Sequence, residues 1–260
     1  MNGVDFTPAA NQDSSHTTLI IAHRGDSRRA PENTLPAFSS ALESGADMVE
    51  LDYVHSLDGV PVVFHDKYLD RKTNAEQVFK RGSIRVDSIE LSELRKLDAG
   101  SWFNKRFAET TIPTLAEALD VIQERSSTVI ERKGGDPRTC VELLKEKRLI
   151  DSVVVQAFDW DYLAGCHSLA PELTLAALGE GTLTDEKLEQ IENMGAKIVG
   201  WNYKNIGTAQ IESIHRRGLK VWVYTVNDQG RAKHLSKAGI DGMITDVPSE
   251  LVLAINHEDR

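Results

Sequence analysis

Cysteine and long apolar segments are both scarce in this sequence of 260 residues. Cys140 and Cys166 are its two cysteines, which is too few for a disulfide framework. Each lies in a predicted helical stretch, where we expect a buried free thiol. No stretch reaches the roughly 18 consecutive apolar residues that a membrane-spanning helix needs. Stable membrane insertion is therefore not expected.

Basic residues are also fewer than acidic residues. The 30 Lys and Arg residues face 40 Asp and Glu residues, which gives a formal net charge of −10. Such an average field disfavours nucleic acid and anionic membrane surfaces as partners, and an anionic small molecule would need a local cation to hold it. With 40% hydrophobic and 27% charged residues, the composition is that of an ordinary globular chain.

The first 18 residues are polar, and they contain no basic segment followed by an apolar one. We therefore expect a flexible tail over residues 1–18 and a cytoplasmic protein with reduced cysteines. The remainder, residues 19–260, shows no linker or shift in composition and is predicted to be one domain. Its oligomeric state stays open.

Short apolar, β-branched segments recur between polar turns, and segments with helical spacing separate most of them. The predicted strands are Leu19–Ala22, Met48–Tyr53, Thr128–Lys133, Val153–Phe158, Leu173–Leu178, Lys197–Asn202, Lys220–Val226 and Gly242–Asp246. Eight strands that alternate with helices at this length predict an α/β fold, the closed (β/α)8 or TIM barrel. An open, doubly wound sheet is the alternative. Residues 55–111 are too long for an ordinary loop and predict an insertion after the second strand.

Carboxylates converge on one end of this predicted barrel. Residues i and i+2 of a strand point the same way, so Glu50 and Asp52 share a face, and Glu131 ends the next predicted barrel strand. At the carboxyl end of the strands, where barrels bind ligands, these acids would repel one another. Arg24 and Lys133 offset that repulsion only in part. A divalent cation with oxygen ligands, Mg²⁺ or Ca²⁺, is the simplest solution.

Two histidines, His23 and His65, each end an apolar segment next to a charged residue. A pair of imidazoles that titrate near neutral pH suits an in-line phosphoryl displacement. One takes a proton from the nucleophile, and the other gives a proton to the departing alkoxide. The sequence thus predicts acid–base catalysis at a phosphorus centre.

An ordered series of short motifs makes the chain resemble the glycerophosphodiester phosphodiesterase family over about residues 20–248. The motifs are His23-Arg24-Gly25, Pro31-Glu32-Asn33-Thr34, Gly45-Ala46-Asp47, Glu50-Leu51-Asp52, Asp58-Gly59, His65-Asp66, Ile112-Pro113-Thr114-Leu115, Ile130-Glu131 with Lys133, Thr225-Val226-Asn227, Asp241-Gly242 and Thr245-Asp246. A single motif of this kind is weak, but the ordered series is specific.

The resemblance implies a TIM barrel that hydrolyses glycerophosphodiesters, such as glycerophosphocholine or glycerophosphoethanolamine, to glycerol 3-phosphate and an alcohol. It implies that the acid–base pair is His23 and His65, that the metal ligands are Glu50, Asp52 and Glu131, and that the phosphate contacts are Arg24 and Lys133. The nucleophile is either water or the neighbouring glycerol hydroxyl, which would pass through a cyclic phosphate.

Two positions depart from the family pattern. Tyr224 stands where many members have Trp, and Ala157-Phe158 stands where a Ser-Phe pair is common. Both would shape the pocket wall, so Tyr224 is predicted to bind substrate and the departures bear on substrate preference. Asp246 is predicted to cap the final helix and receives no catalytic role.

Two other functions stay open. The same barrel and residue types serve phospholipase D-like enzymes that act on lysophospholipids, and the insertion carries scattered aromatic residues beside Lys and Arg. A non-catalytic metal-binding barrel is the third possibility, although both candidate histidines are present.

Overall fold

Parallel strands close on themselves in the computed structural model of the chain, which describes residues 17–256. Within that range the strands are β1 Leu19–Ala22, β2 Met48–His55, β3 Pro61–Val63, β4 Ser127–Arg132, β5 Val153–Ala157, β6 Thr174–Gly179, β7 Ile198–Asn202, β8 Lys220–Tyr224 and β9 Gly242–Thr245. The helices are α1 Leu35–Glu43, α2 Ala75–Phe79, α3 Leu91–Leu94, α4 Leu115–Ile122, α5 Pro137–Glu146, α6 Trp160–Leu169, α7 Asp185–Asn193, α8 Thr208–Arg216, α9 Gln229–Lys237 and α10 Pro248–Asn256.

The order of the strands confirms the (β/α)8 barrel. Neighbouring strands follow the order β1-β9-β8-β7-β6-β5-β4-β2, and β1 also pairs with β2, so the eight parallel strands form a ring. The alternative of an open, doubly wound sheet is wrong because the sheet has no free edge between β1 and β2. All eight predicted strands are present, with ends displaced by no more than two residues.

Both faces of the barrel strands are buried, which explains why each reads as a nearly continuous apolar segment. Inside the ring, side chains from all eight strands form the interior cluster Ile21, Met48, Val129, Val154, Ala176, Ile198, Trp222 and Ile244. Outside it, the opposite strand faces pack against the surrounding helices in a larger cluster. None of the helices in residues 17–256 is long and apolar enough to cross a bilayer.

The predicted insertion after the second barrel strand is also confirmed. Residues 56–114 lie between β2 and α4, and β3 pairs antiparallel with β2, with Tyr53 opposite Val63. This segment has a hydrophobic core of its own, here called the insertion core. Its buried members are Val62, Phe64, Leu69, Ala75, Ile84, Val86, Ile89, Leu94, Leu97, Ala99 and Ile112.

The expected tail falls almost wholly outside the described residues, as do residues 257–260. The division into a tail over 1–18 and a single domain over 19–260 therefore stays a prediction. Cys140 and Cys166 are buried free thiols in α5 and α6, as the sequence predicts.

Candidate active site

The turn after β1 is tight, and its sequence explains why. Arg24 and Gly25 both adopt positive φ angles, of 56° and 80°. A Cβ on Gly25 would lie 2.6 Å from the carbonyl carbon of Ala37, so glycine fits this close approach to α1. The turn holds His23 and Arg24 at the carboxyl end of the barrel, and the Arg24 amide donates to Glu50 Oε2 at 2.8 Å.

The three predicted metal ligands lie together. Glu50 and Asp52 on β2 and Glu131 on β4 are buried, and one carboxylate oxygen from each lies within 4.8 Å of the others. The strand register accounts for this, since Asp52 and Glu131 are paired neighbours on adjacent strands. Among residues 17–256, this is the one group of three or more potential ligands so arranged.

Two cations reach this acidic cluster without balancing it. Arg24 Nε lies 3.1 Å from Asp52 Oδ2, and Lys133 Nζ lies 3.3 Å from Asp52 Oδ1 and also contacts Glu131. Burial tends to raise the pKa of Asp52, but the charges of Arg24 and Lys133 outweigh it and lower that pKa. Burial, followed by repulsion from Asp52, raises the pKa of Glu50 to about 8. The same two causes raise the pKa of Glu131.

This cluster fits a hard divalent cation. Its donors are all oxygens, and its acids outnumber the cations that touch them. The buried Asp52 Oδ1 lies 3.3 Å from Lys133 Nζ but accepts no hydrogen bond of regular geometry from residues 17–256. Gln156 on β5 borders the cluster, and its Nε2 lies 3.5 Å from Glu50 Oε1 and 3.4 Å from Glu131 Oε2. Glu50, Asp52 and Glu131 could therefore hold the predicted metal ion.

Each candidate catalytic histidine has a carboxylate partner at Nδ1. His23 Nδ1 lies 2.6 Å from Asp246 Oδ1, and His65 Nδ1 lies 2.9 Å from Asp66 Oδ1. A carboxylate at Nδ1 favours the tautomer with its proton on Nδ1 and orients the ring, which leaves Nε2 for a ligand. His65 is carried by the turn after β3, outside the ring of parallel strands.

The pKa directions of the two histidines differ. Burial works to lower the pKa of His23, but the hydrogen bond that its Nδ1 donates to Asp246 and the charge of Glu50 raise the pKa overall. For His65, burial prevails over the attraction of Asp52 and lowers the pKa. Compared with an ordinary imidazole, the charged form is stabilised at His23 and the neutral form at His65.

Two of the predicted substrate residues, Tyr224 and Lys133, line separate cavities at this end of the barrel. Tyr224, at the end of β8, lines a cavity together with His23, Glu131, Gln156 and Phe158. Its hydroxyl donates to the Gly179 carbonyl at 2.7 Å, and its ring meets Phe158 edge-on at 6.0 Å.

Lys133 and His65 line a second cavity on the insertion side, with Lys67 and Arg85. The structure thus brings all eight residues of the predicted site to the carboxyl end of the barrel.

Several site residues were missed or misread. The Asp246 side chain accepts hydrogen bonds from Ser27 and Asn227 as well as contacting His23, in place of the predicted helix cap. Glu32 contacts Arg24, and no partner of Asp246 or Arg24 could be read from spacing alone.

Asn33 was another residue without a predicted site role. Its Nδ2 donates to Asp52 Oδ2 at 2.8 Å, and its Oδ1 accepts from the Asp52 amide at 3.0 Å. The positive φ of Asn33, 58°, is typical of asparagine in such turns. The motif that contains Glu32 and Asn33 was the available signal for both.

Known proteins are similar to this chain over most of its length. A glycerophosphodiester phosphodiesterase from Caldanaerobacter subterraneus subsp. tengcongensis is 36% identical over 242 residues, which cover 90% of this chain and 96% of that protein. A glycerophosphodiester phosphodiesterase of Bacillus subtilis is 32% identical over 253 residues, covering 88% and 84%.

Solved structures agree with these relatives. The Oleispira antarctica phosphodiesterase in complex with the product sn-glycerol-3-phosphate superposes with a TM-score of 0.83 at 30% identity, covering 92% of this chain and 96% of that one. The sequence model of the glycerophosphoryl diester phosphodiesterase family matches residues 23–250. The chain therefore belongs to the glycerophosphoryl diester phosphodiesterase family and is an enzyme of that class.

Proposed function

We propose that this chain hydrolyses glycerophosphodiesters, such as glycerophosphocholine or glycerophosphoethanolamine, to sn-glycerol 3-phosphate and a free alcohol, using a divalent metal ion and two histidines. The observation that carries the proposal is the pair His23 and His65, each supported by its own carboxylate beside one cluster of three buried acids. The relative solved with sn-glycerol-3-phosphate supports the nature of the product.

In this proposal Glu50, Asp52 and Glu131 hold Mg²⁺ or Ca²⁺. When bound, such an ion would polarise a phosphoryl oxygen and offset the negative charge of the site. Arg24 and Lys133 supply the cationic contacts that a phosphate needs in a chain whose net charge is −10. Tyr224 and Phe158 form the apolar wall on the side of His23.

Proton transfer is assigned to the two histidines. His65, whose pKa is lowered, takes a proton from the nucleophile at Nε2, and His23, whose pKa is raised, gives a proton at Nε2 to the departing alkoxide. A P–O bond forms to the nucleophile as the P–O bond to the alcohol breaks. With water as the nucleophile, the products form in one displacement. With the neighbouring glycerol hydroxyl, a cyclic phosphate forms first and a second displacement by water opens it.

The direct test is release of glycerol 3-phosphate by the purified protein from glycerophosphocholine and glycerophosphoethanolamine. We expect turnover with Mg²⁺ or Ca²⁺, loss with EDTA, and recovery when metal is restored. Phosphorus NMR of the reaction mixture would distinguish the nucleophiles, because a transient cyclic phosphate requires the glycerol hydroxyl. Failure to release glycerol 3-phosphate from any tested head group in the presence of metal would refute the proposal.

Variants of the histidines test their roles. His23→Ala and His65→Ala should each lower kcat by about 10²- to 10⁴-fold while metal affinity and melting temperature stay close to wild type. His167→Ala is a matched control, because this histidine lies in α6, outside the predicted catalytic residues. A His23 or His65 variant that keeps the wild-type rate would remove that residue from the acid–base pair.

Neither alternative function is favoured. Comparing turnover of a lysophospholipid with that of its deacylated counterpart tests the phospholipase D-like activity, and we expect the deacylated compound to be the better substrate. The rates with the two histidine variants test the non-catalytic barrel.

Cytoplasmic location is a further part of the proposal. It is supported by Cys140 and Cys166, which are free and buried and suit a reducing compartment. Cell fractionation should recover the protein with cytosolic markers, and recovery with extracytoplasmic markers would contradict this location.

A further inference from the structure

A series of contacts links the insertion to Arg24, the proposed phosphate contact. Lys72 Nζ lies 3.7 Å from the centre of the Trp102 ring and 3.0 Å from Glu32 Oε2. The other oxygen of Glu32, Oε1, lies 2.9 Å from Arg24 Nη1. Trp102 and Lys72 belong to the insertion, whereas Glu32 and Arg24 belong to the loop between β1 and α1.

Each side chain in this series of contacts is held in place. The Trp102 indole donates through Nε1 to the Ala99 carbonyl at 2.8 Å, which fixes the ring beside the insertion core. The side chains of Lys72, Glu32 and Arg24 are 13%, 17% and 16% exposed, so water screens their charges less than it would at the surface. A lysine above an indole face is further stabilised by the cation–π attraction.

These contacts determine where the Arg24 guanidinium can lie. Arg24 Nη1 donates to Glu32, and Nε makes an ion-pair contact with Asp52 at 3.1 Å that lacks hydrogen-bond geometry. No residue in the described part of the chain accepts a hydrogen bond from Nη2. A guanidinium held at two of its three nitrogens presents the third in a fixed direction. Without Lys72, Glu32 would lose one of its two cationic contacts and could rotate, and Arg24 would lose that fixed direction.

We infer that Lys72 and Trp102 are positioning residues for the substrate phosphate, acting through Glu32 on Arg24. This inference rests on the part of the proposed function that gives Arg24 a phosphate contact. It also assigns a role to the insertion beyond supplying His65, since the insertion sets the geometry of an arginine that the barrel carries.

The test compares Lys72→Met and Trp102→Leu with wild type in metal-replete protein. Calorimetry measures the Kd of inorganic phosphate, and steady-state kinetics measures KM and kcat for a glycerophosphodiester. We expect each variant to weaken phosphate binding and raise KM by about three- to tenfold, with kcat changed less than about twofold. Lys72→Arg keeps the charge and the cation–π contact and should restore both values.

A double-variant comparison shows whether Lys72 acts through Arg24. Arg24→Met should itself weaken phosphate binding, and adding Lys72→Met in that background should have less than about a twofold further effect. If Lys72→Met weakened phosphate binding as much in the Arg24→Met background as it does in wild type, the inference would be overturned. So would wild-type phosphate affinity in the Arg24→Met protein, since Arg24 would then not hold phosphate.

Arg106→Met is the matched control. Arg106 also belongs to the insertion, lies 4.7 Å from the centre of the Phe107 ring, and donates to the Arg29 carbonyl at 2.9 Å. Its loss removes a cation–π contact and a bond to the same barrel loop without touching Glu32. We expect unchanged phosphate affinity, and a loss equal to that of Lys72→Met would overturn the inference in favour of general loosening.

If wild type releases no glycerol 3-phosphate but the phosphate affinities follow the expected pattern, the proposed function fails and the positioning role is supported. If wild type is active and Arg24→Met is impaired, wild-type KM and phosphate Kd in both Lys72→Met and Trp102→Leu would overturn the positioning role alone.

Discussion

Asp246 Oδ1 lies 2.6 Å from His23 Nδ1, although the two residues are 223 positions apart in the chain. The contact exists because β1 and β9 are paired neighbours in the closed barrel, with Ala22 opposite Thr245, and each residue follows the end of its strand. Closure of the barrel thus gives the first strand's histidine a carboxylate from the last strand.

Asp246→Asn should lower kcat by about 10²-fold or more and move the ionisation of His23 to lower pH. The carboxylate raises the pKa of His23 against the opposing effect of burial, so its removal lowers that pKa and leaves less of the charged acid at neutral pH. The pH profile of kcat/KM measures the shift. An unchanged profile would contradict the assignment of His23 as the acid.

Asp241→Asn is the control for that experiment. Asp241 Oδ2 lies 2.9 Å from His215 Nε2, and Asp241 precedes β9, so this pair lies at the opposite end of the barrel. We expect kcat/KM and its pH profile to stay at the wild-type values.

Loss of the Asp66 carboxylate should lower kcat more than loss of Arg71, the arginine that contacts it. Asp66 contacts His65 at 2.9 Å, whereas the Arg71 side chain, 2.8 Å from Asp66, is 69% exposed. Exposed ion pairs contribute little, so Arg71→Met should change kcat less than about threefold. Asp66→Asn should lower kcat by more than about tenfold, because it removes the group that orients the His65 ring. Equal losses in the two variants would contradict this order.

Metal affinity should rise with pH up to about pH 8. Burial and repulsion from Asp52 raise the pKa of Glu50 to about 8, so below that pH an incoming cation must displace a proton. Affinity should then increase about tenfold per pH unit for one displaced proton and level off above pH 8. Calorimetry in two buffers of different ionisation enthalpy measures the released proton. No proton release near pH 6 would show that Glu50 is already charged there.

Lys133→Met should strengthen metal binding and weaken phosphate binding. Lys133 contacts Asp52 and Glu131, so it competes with a divalent cation for their oxygens. In the proposed function the same ammonium also contacts the substrate phosphate. We expect the Kd of Mg²⁺ to fall and the Kd of phosphate to rise, each by about three- to tenfold. A Kd that moves in the same direction for both ligands would contradict the double role. Lys145→Met, on α5, is a control for the loss of one positive charge.

Much of the fold and the site could be predicted because the patterns that indicate them lie within short segments of the sequence. Each barrel strand is buried on both faces and stands out as an apolar run, and Glu50 and Asp52 share a face by strand geometry. The partners of these residues could not be predicted in the same way. Gln156, for example, reaches Glu50 only because β5 and β2 flank β4 in the ring.

The insertion, too, could be predicted from the sequence only in part. Its existence followed from the length of the segment between two barrel strands, but its internal contacts depend on packing that no local pattern encodes. Lys72 and Trp102 are separated in the sequence by a segment that contains α2 and α3, and nothing in their spacing predicts that an ammonium lies over an indole ring.

Because the insertion core is separate from the two barrel clusters, the proposed proton carriers belong to different packing units. His65 follows Phe64, a member of the insertion core, whereas His23 follows β1 of the ring. Local unfolding of residues 56–114 would separate the imidazole of His65 from that of His23 while the barrel stays folded. On heating, catalysis should therefore fail at a lower temperature than the cooperative loss of helical circular dichroism, and cooling from that interval should restore it.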